Sequence, residues 1–131
     1  MTLRSHPNQI RKVEMFLKKV NHAIHLNEIQ MHKMMVSLTE AVNNAIIHGN
    51  RSDPAKRVLV RCEILPGWLV VFVDDQGGGF EPSKVRNPLH RQNLMRENGR
   101  GIFLMKTLMD KVEFEKEPDG TRVSLWLDTK K

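Results

Sequence analysis

Glu40, Asn44 and His48 recur at every fourth position, the spacing that lines side chains up along one stripe of an α-helix. A carboxylate and a carboxamide one turn apart suit two jobs: a base or water-orienting group, and a neutral oxygen ligand for Mg2+, which favours hard oxygen donors. A solvated helix face has the same pattern, so spacing alone leaves both readings open. Asp75 closes the run WLVVFVDD, in which alternation puts Leu69, Val71, Val73 and Asp75 on one face. A carboxylate that continues an apolar face is costly unless bonded, and an exocyclic amine such as that of adenine is a suitable donor; the plainer use is a turn with Gln76 and the glycines that follow. Gly77, Gly78 and Gly79 let the backbone approach a ligand plane closely. Gly99-Arg100-Gly101 stands ahead of an apolar-periodic stretch, and backbone amides at a helix N-terminus favour phosphate. Arg100 either pairs with a terminal phosphate or is exposed. Thr121, Val123, Leu125 and Leu127 share a face, so Thr121 falls at the end of its strand as Asp75 does of its own.

These residues need elements to position them, and the punctuation of the chain supplies a short series. Thr2 to Ser5 reads as an edge strand, and after Pro7 the residues Ile10, Val13, Phe16, Leu17, Val20 and Ile24 keep helical spacing. A second helix is expected over Glu28 to His48, with a stripe from Met31 through Met34, Met35, Leu38, Ala41, Val42 and Ala45, stopped by Gly49 as a C-cap. VLVRCEIL, the turn Pro66-Gly67 and WLVVFVDD read as a hairpin, and VEFEK, the turn EPDG and TRVSLWL as another. Between them lie a loop containing Pro82 and Pro88 and a short third helix, Gly101 to Met109. Long structureless loops in small domains are usually functional, often lids, and residues 81–100 are expected to be one. The order β-α-α-ββ-lid-α-ββ gives an α/β two-layer sandwich: a mixed, largely antiparallel sheet with helices on one face.

A chain of 131 residues, 40% apolar and 27% charged, is expected to form a single globular domain over 1–131. No apolar stretch nears the roughly 18 residues of a membrane span, and MTLRSHPNQI has no signal-like apolar core. Cys62 is alone, which excludes an internal disulfide. A cytoplasmic protein is the expectation. The formal charge of +6 invites anionic partners, and five basic residues against two acidic ones between Glu81 and Arg100 place part of it on the expected lid. With no Tyr and 5% aromatics, base-stacking recognition of nucleic acid is disfavoured.

Four segments in order carry a resemblance. EAVNNAIIHGN resembles the N box of the GHKL (Bergerat-fold) ATPases, DDQGGGF their first glycine box, GRGIFLMKTLMD the second, and GTRVSL the closing threonine strand. Within that superfamily the pattern is most similar to the anti-sigma-factor serine kinases of the RsbW and SpoIIAB kind. The resemblance implies ATP and Mg2+ as cofactors, Glu40 as catalytic base, Asn44 as the Mg2+ ligand and Asp75 as the adenine-binding aspartate assisted by Thr121. It also implies that Gly77, Gly79, Gly99 and Gly101 frame the lid and phosphates, with Arg100 and His48 as further contacts left unassigned. The implied activity is serine/threonine phosphorylation of an anti-anti-sigma-type protein, alternating with binding of a sigma factor, by a homodimer that touches neither nucleic acid nor membrane. The alternative is an ATP-binding regulatory module without transfer, against which Glu40 argues.

Overall fold

A computed structural model of the chain describes residues 1–4, 6–77 and 99–130. Strand β1 (Thr2–Arg4) is followed by a 3-10 turn (Pro7–Gln9), helix α1 (Ile10–Ile24), helix α2 (Glu28–Asn44), a π turn (Ala45–Gly49), and strands β2 (Arg57–Leu65) and β3 (Trp68–Asp74). Helix α3 covers 99–108, and β4 (Lys111–Glu117) and β5 (Gly120–Asp128) complete the described chain. The strands lie in the order β1-β2-β3-β5-β4 with every pairing antiparallel. This is the expected sandwich, with helical connections between strands.

Period two sorts the sheet's side chains. Leu3, Val58, Val60, Leu69, Val71, Val73, Val123, Leu125 and Leu127 are buried on one face, against Val13, Leu17 and Val20 of α1, Met34, Leu38, Ala41 and Val42 of α2, and Met105 of α3. Full burial of a Val or Leu side chain contributes about 1.5–3 kcal/mol, so this layer fixes α2 over the sheet. Helices α1 and α2 join by a short reversal: His25 takes a left-handed conformation (φ 52°) and Asn27 and Gln30 form a reciprocal capping box at 2.8 and 3.0 Å. Two orphan N–H groups are thereby satisfied at the start of α2.

The opposite sheet face is covered by its own side chains. Trp68 and Trp126 meet edge to face at 5.8 Å, and the guanidinium of Arg61 lies 4.1 Å from the Phe72 ring centre. Beneath them Val70 is fully buried although it is absent from the helix-side core.

The end of α2 departs from expectation. Gly49 closes no left-handed cap; the helix widens into the π turn, where the Asn50 N–H bonds to the Ala45 carbonyl at 2.8 Å, and the chain reverses at Arg51 and Ser52, with φ of 52° and 55°. The reason is tertiary: Gly49 is packed against Asp75, as described below. Helix α3 already includes Gly99 and Arg100, ahead of the expected start, and within it Gly101 is buried against α2.

Candidate functional site

The apolar stripe of α2 faces the sheet, which leaves Glu40 and Asn44 half-buried at its border. Gly101 of α3 closes on both. A Cβ placed on Gly101 would lie 2.9 Å from Oε2 of Glu40, 3.3 Å from Nδ2 of Asn44 and 3.5 Å from its Oδ1. Only glycine admits that approach without displacing a polar tip. His48 lies in the π turn and is half-buried. The wider turn takes it off the straight i, i+4, i+8 line that begins at Glu40.

Beyond the π turn that follows α2, Asp75 comes after the last residue of β3 and is tied to the start of β5. Its N–H bonds to the Thr121 carbonyl at 3.0 Å, and its Oδ1 accepts the N–H of Thr121 at 3.1 Å and of Gly77 at 3.0 Å. One carboxylate oxygen is thus consumed by the backbone. Among the described residues no donor is bonded to Oδ2. Burial pushes the Asp75 carboxyl up from its ordinary value, the Gly77 and Thr121 N–H groups pull it down, Asp74 adds to the rise, and Lys56 opposes it.

Three glycines make room for this arrangement. A Cβ on Gly49 would overlap the Asp75 carboxylate, one on Gly77 the Gly49 carbonyl, and one on Gly120 the Asp75 carbonyl. An open cleft adjoins them, lined by Gln76, Gly77 and the β4–β5 turn.

The structure therefore assembles two groups of the expected residues: Glu40, Asn44 and Gly101, and Asp75, Gly77 and Thr121. The helical run from Glu40 to Gly49 joins them over on the order of 13 Å. Gly99 and Arg100 are exposed, with nothing within 4 Å of a Cβ placed on Gly99. Gly79, with Gly78 and Phe80, and the expected lid from 81 to 98 lie outside the described residues. Asn50 and Gly120 were missed by sequence reasoning. Asn50 ends the N-box segment without a pattern to mark it as buried, and Gly120 reads as the last residue of a Pro-Asp-Gly turn.

Among the described residues no group of three His, Cys, Asp or Glu side chains could hold a metal ion. Mg2+ does not need one: it usually keeps several waters and takes one or two protein oxygens together with substrate phosphates. The Asn44 carboxamide oxygen fits that donor set. No described helix is long and apolar enough to cross a membrane.

An antiparallel sheet backed by a helix whose last turn carries a carboxylate-carboxamide pair, with a backbone-tied aspartate after a sheet strand packed on the turn that follows that helix, defines a class. The chain belongs to the histidine kinase-like ATPase domain family, whose model matches residues 3–127. Within that family it is 36% identical over 90 residues to the anti-sigma F factor of Clostridium perfringens (strain ATCC 13124), a match covering 66% of this chain and 64% of that protein. It is 40% identical over 105 residues to the anti-sigma F factor of Clostridium botulinum (strain Eklund 17B / Type B), covering 76% and 71%. It is 31% identical over 98 residues to the serine-protein kinase RsbW of Bacillus licheniformis, covering 70% and 61%. The chain thus spans slightly less than two thirds of the C. perfringens and B. licheniformis proteins. Similar solved structures are the histidine kinase domain of the Erythrobacter litoralis EL346 blue-light activated kinase (TM-score 0.55, 15% identity, 92% of this chain, 61% of that one) and the mycobacterial sensor histidine kinase MprB (0.54, 18%, 98% and 96%). At those identities the likeness speaks for the fold.

Proposed function

We propose that this chain is an ATP-dependent serine/threonine protein kinase that acts as an anti-sigma regulatory factor, phosphorylating an anti-anti-sigma-type protein and binding a sigma factor, as a cytoplasmic homodimer. The observation that carries the reading is the meeting of Glu40 and Asn44 with Gly101 on the helical run that leads to Gly49, against which the carboxylate of Asp75 packs with no described donor bonded to its Oδ2. The relatives named anti-sigma F factor and serine-protein kinase support it.

At the adenine end, Oδ2 of Asp75 accepts the exocyclic amine while Oδ1 stays with the backbone, and Gly77 and Thr121 border the ring. At the phosphate end, Asn44 would hold Mg2+ through its carboxamide oxygen, and the ion would supply neutralisation of the phosphate charge. Gly101 admits the phosphates close to α2. Glu40 accepts the proton of the partner's serine hydroxyl as its oxygen bonds to the γ-phosphorus, the bond to the β-phosphate oxygen breaks, and ADP leaves. His48 and Arg100 have no assigned step.

The deciding experiment is transfer of labelled γ-phosphate from ATP to a serine-bearing partner, with ATP titration alongside. Transfer that disappears when the partner's serine is replaced by alanine supports the kinase. ATP binding and nucleotide-dependent partner binding without transfer would replace it with the non-catalytic regulatory module.

A further inference from the structure

Asn50 is fully buried, and a buried carboxamide is costly unless its donor and acceptor ends are both bonded. Both are. Its Oδ1 accepts the Gln76 N–H at 2.7 Å, and its Nδ2 donates to the Arg57 carbonyl at 2.9 Å. A third bond closes the ring: the Arg57 N–H donates to Oε1 of Gln76 at 2.6 Å. Three segments meet there: the exit of the π turn, the start of β2 and, more distant in sequence, the loop after β3. Asn50 also closes the π turn through its own N–H. Its neighbour Gly49 abuts the Asp75 carboxylate, and Gly77 abuts the Gly49 carbonyl. The N–H that Asn50 holds belongs to the residue between Asp75 and Gly77.

We propose that Asn50 is a positioning residue that sets base specificity: through Gln76 it locks the Asp75–Gly77 loop onto the π turn, so that Oδ2 of Asp75 faces the cleft as an acceptor. The inference rests on the ATP reading above. A fixed carboxylate oxygen accepts the amine of adenine and repels the carbonyl that guanine presents at the same ring position, whereas a loop free to turn loses the distinction.

The test uses the full chain, with titrations of ATP and GTP and circular dichroism on the parent and three variants. Asn50→Leu keeps the branched shape and the number of heavy atoms, though it is bulkier, and removes both hydrogen bonds. It should weaken ATP binding at least tenfold and bring the ATP-to-GTP affinity ratio to within about threefold of one. Asn50→Asp keeps an acceptor for the Gln76 N–H and should keep the preference for ATP even though the protein is less stable. Gln76→Ala opens the ring from its exposed side without disturbing the core, and should narrow the ratio by threefold or more. A ratio unchanged in folded Asn50→Leu, or a loss of ATP and GTP affinity in equal proportion, would assign Asn50 a structural role only and overturn the proposal. If Asn50→Leu does not fold, Asn50→Ala, which also removes both side-chain bonds, replaces it, and an unchanged ratio in that variant overturns the proposal equally. A parent that binds no ATP would instead defeat the nucleotide reading itself.

Discussion

Gly49 has no side chain where Asp75 places its carboxylate: a Cβ on Gly49 would fall within the space of Oδ2. Gly49 does not have a positive φ, so alanine can adopt its backbone, and the effect of Gly49→Ala is confined to crowding. Crowding of this kind costs about 1–3 kcal/mol, offset in part by the ~1 kcal/mol that alanine gains over glycine in helical backbone. The expected outcome is a modest loss of stability with a large loss of ATP affinity. Urea denaturation and ATP titration of the variant check it, and parent-like ATP affinity would remove Oδ2 from the site.

Asp75→Asn separates the two oxygens. An asparagine carbonyl at the Oδ1 position still accepts the Gly77 and Thr121 N–H groups, so the fold is kept, while the amide nitrogen takes the place of Oδ2 and opposes the adenine amine. A hydrogen bond to a charged group contributes about 1.5–3 kcal/mol, which corresponds to a loss of ATP affinity of roughly 10- to 100-fold. Calorimetric titration of a variant with parent-like circular dichroism measures it.

Proton uptake at the same carboxyl makes both stability and binding depend on pH. Burial holds its folded pKa above the unfolded one, so its favourable contribution to stability is fully present below the unfolded pKa and is lost as pH rises through the folded value. Near pH 7 the ionised group therefore opposes folding. Asp75→Asn should resist urea better than the parent there, the advantage shrinking as pH falls towards about 4. ATP affinity of the parent moves the other way, falling with acidification as the proton occupies Oδ2. A stability difference between parent and variant that does not change with pH would contradict this.

Glu40 and Asn44 should separate in kinetics. Glu40→Gln removes the proton acceptor but leaves ground-state contacts, so transfer should slow about 10²–10⁴-fold with ATP affinity unchanged within roughly threefold. In Asn44→Ala the gain in ATP affinity on adding Mg2+ should disappear. Single-turnover transfer and titrations with and without Mg2+ distinguish the two, and equal defects in both variants would mean that neither residue has its assigned role.

Gly101→Ala should divide stability from activity. In helical backbone the change gains about 0.5–1 kcal/mol, while the new methyl, 2.9 Å from Oε2 of Glu40, moves that side chain's flexible end. A melting temperature at or above the parent's, with slower transfer, is expected. Transfer at the parent's rate would show that the closeness of α3 to Glu40 is irrelevant to the reaction.

Much of this was legible in the sequence because it is periodic. Alternation marked β2, β3, β4 and β5, and the 3.6-residue stripe marked α1 and α2; Glu40 and Asn44, one turn apart, and Asp75 at a strand end follow from those periods. The features that escaped depend on contacts between distant segments. AIIHG carries no local signal for a π turn, whose widening goes with the packing of Gly49 on Asp75. Asn50 looks like any polar residue after a helix, and its burial follows from Arg57 and Gln76 arriving beside it. Gly120 satisfies a turn pattern on its own, which hid its contact with the Asp75 backbone.

The adjacent pairs Asp74-Asp75 and Thr121-Arg122 send their side chains to opposite faces of the sheet. Asp75 faces the cleft with Thr121 beside it, while Asp74 and Arg122 are register partners joined behind by bonds of 2.7 and 3.1 Å. A slip of one residue between β3 and β5 would exchange the faces. It would bring a guanidinium to the cleft, expose Thr121, and strip Asp74 of its ion pair in the same event. On the assignment of Asp75 proposed above, molecules slipped in that way would lose the nucleotide site together with their buried apolar face, so a population selected for ATP binding would also be proofread for sheet register.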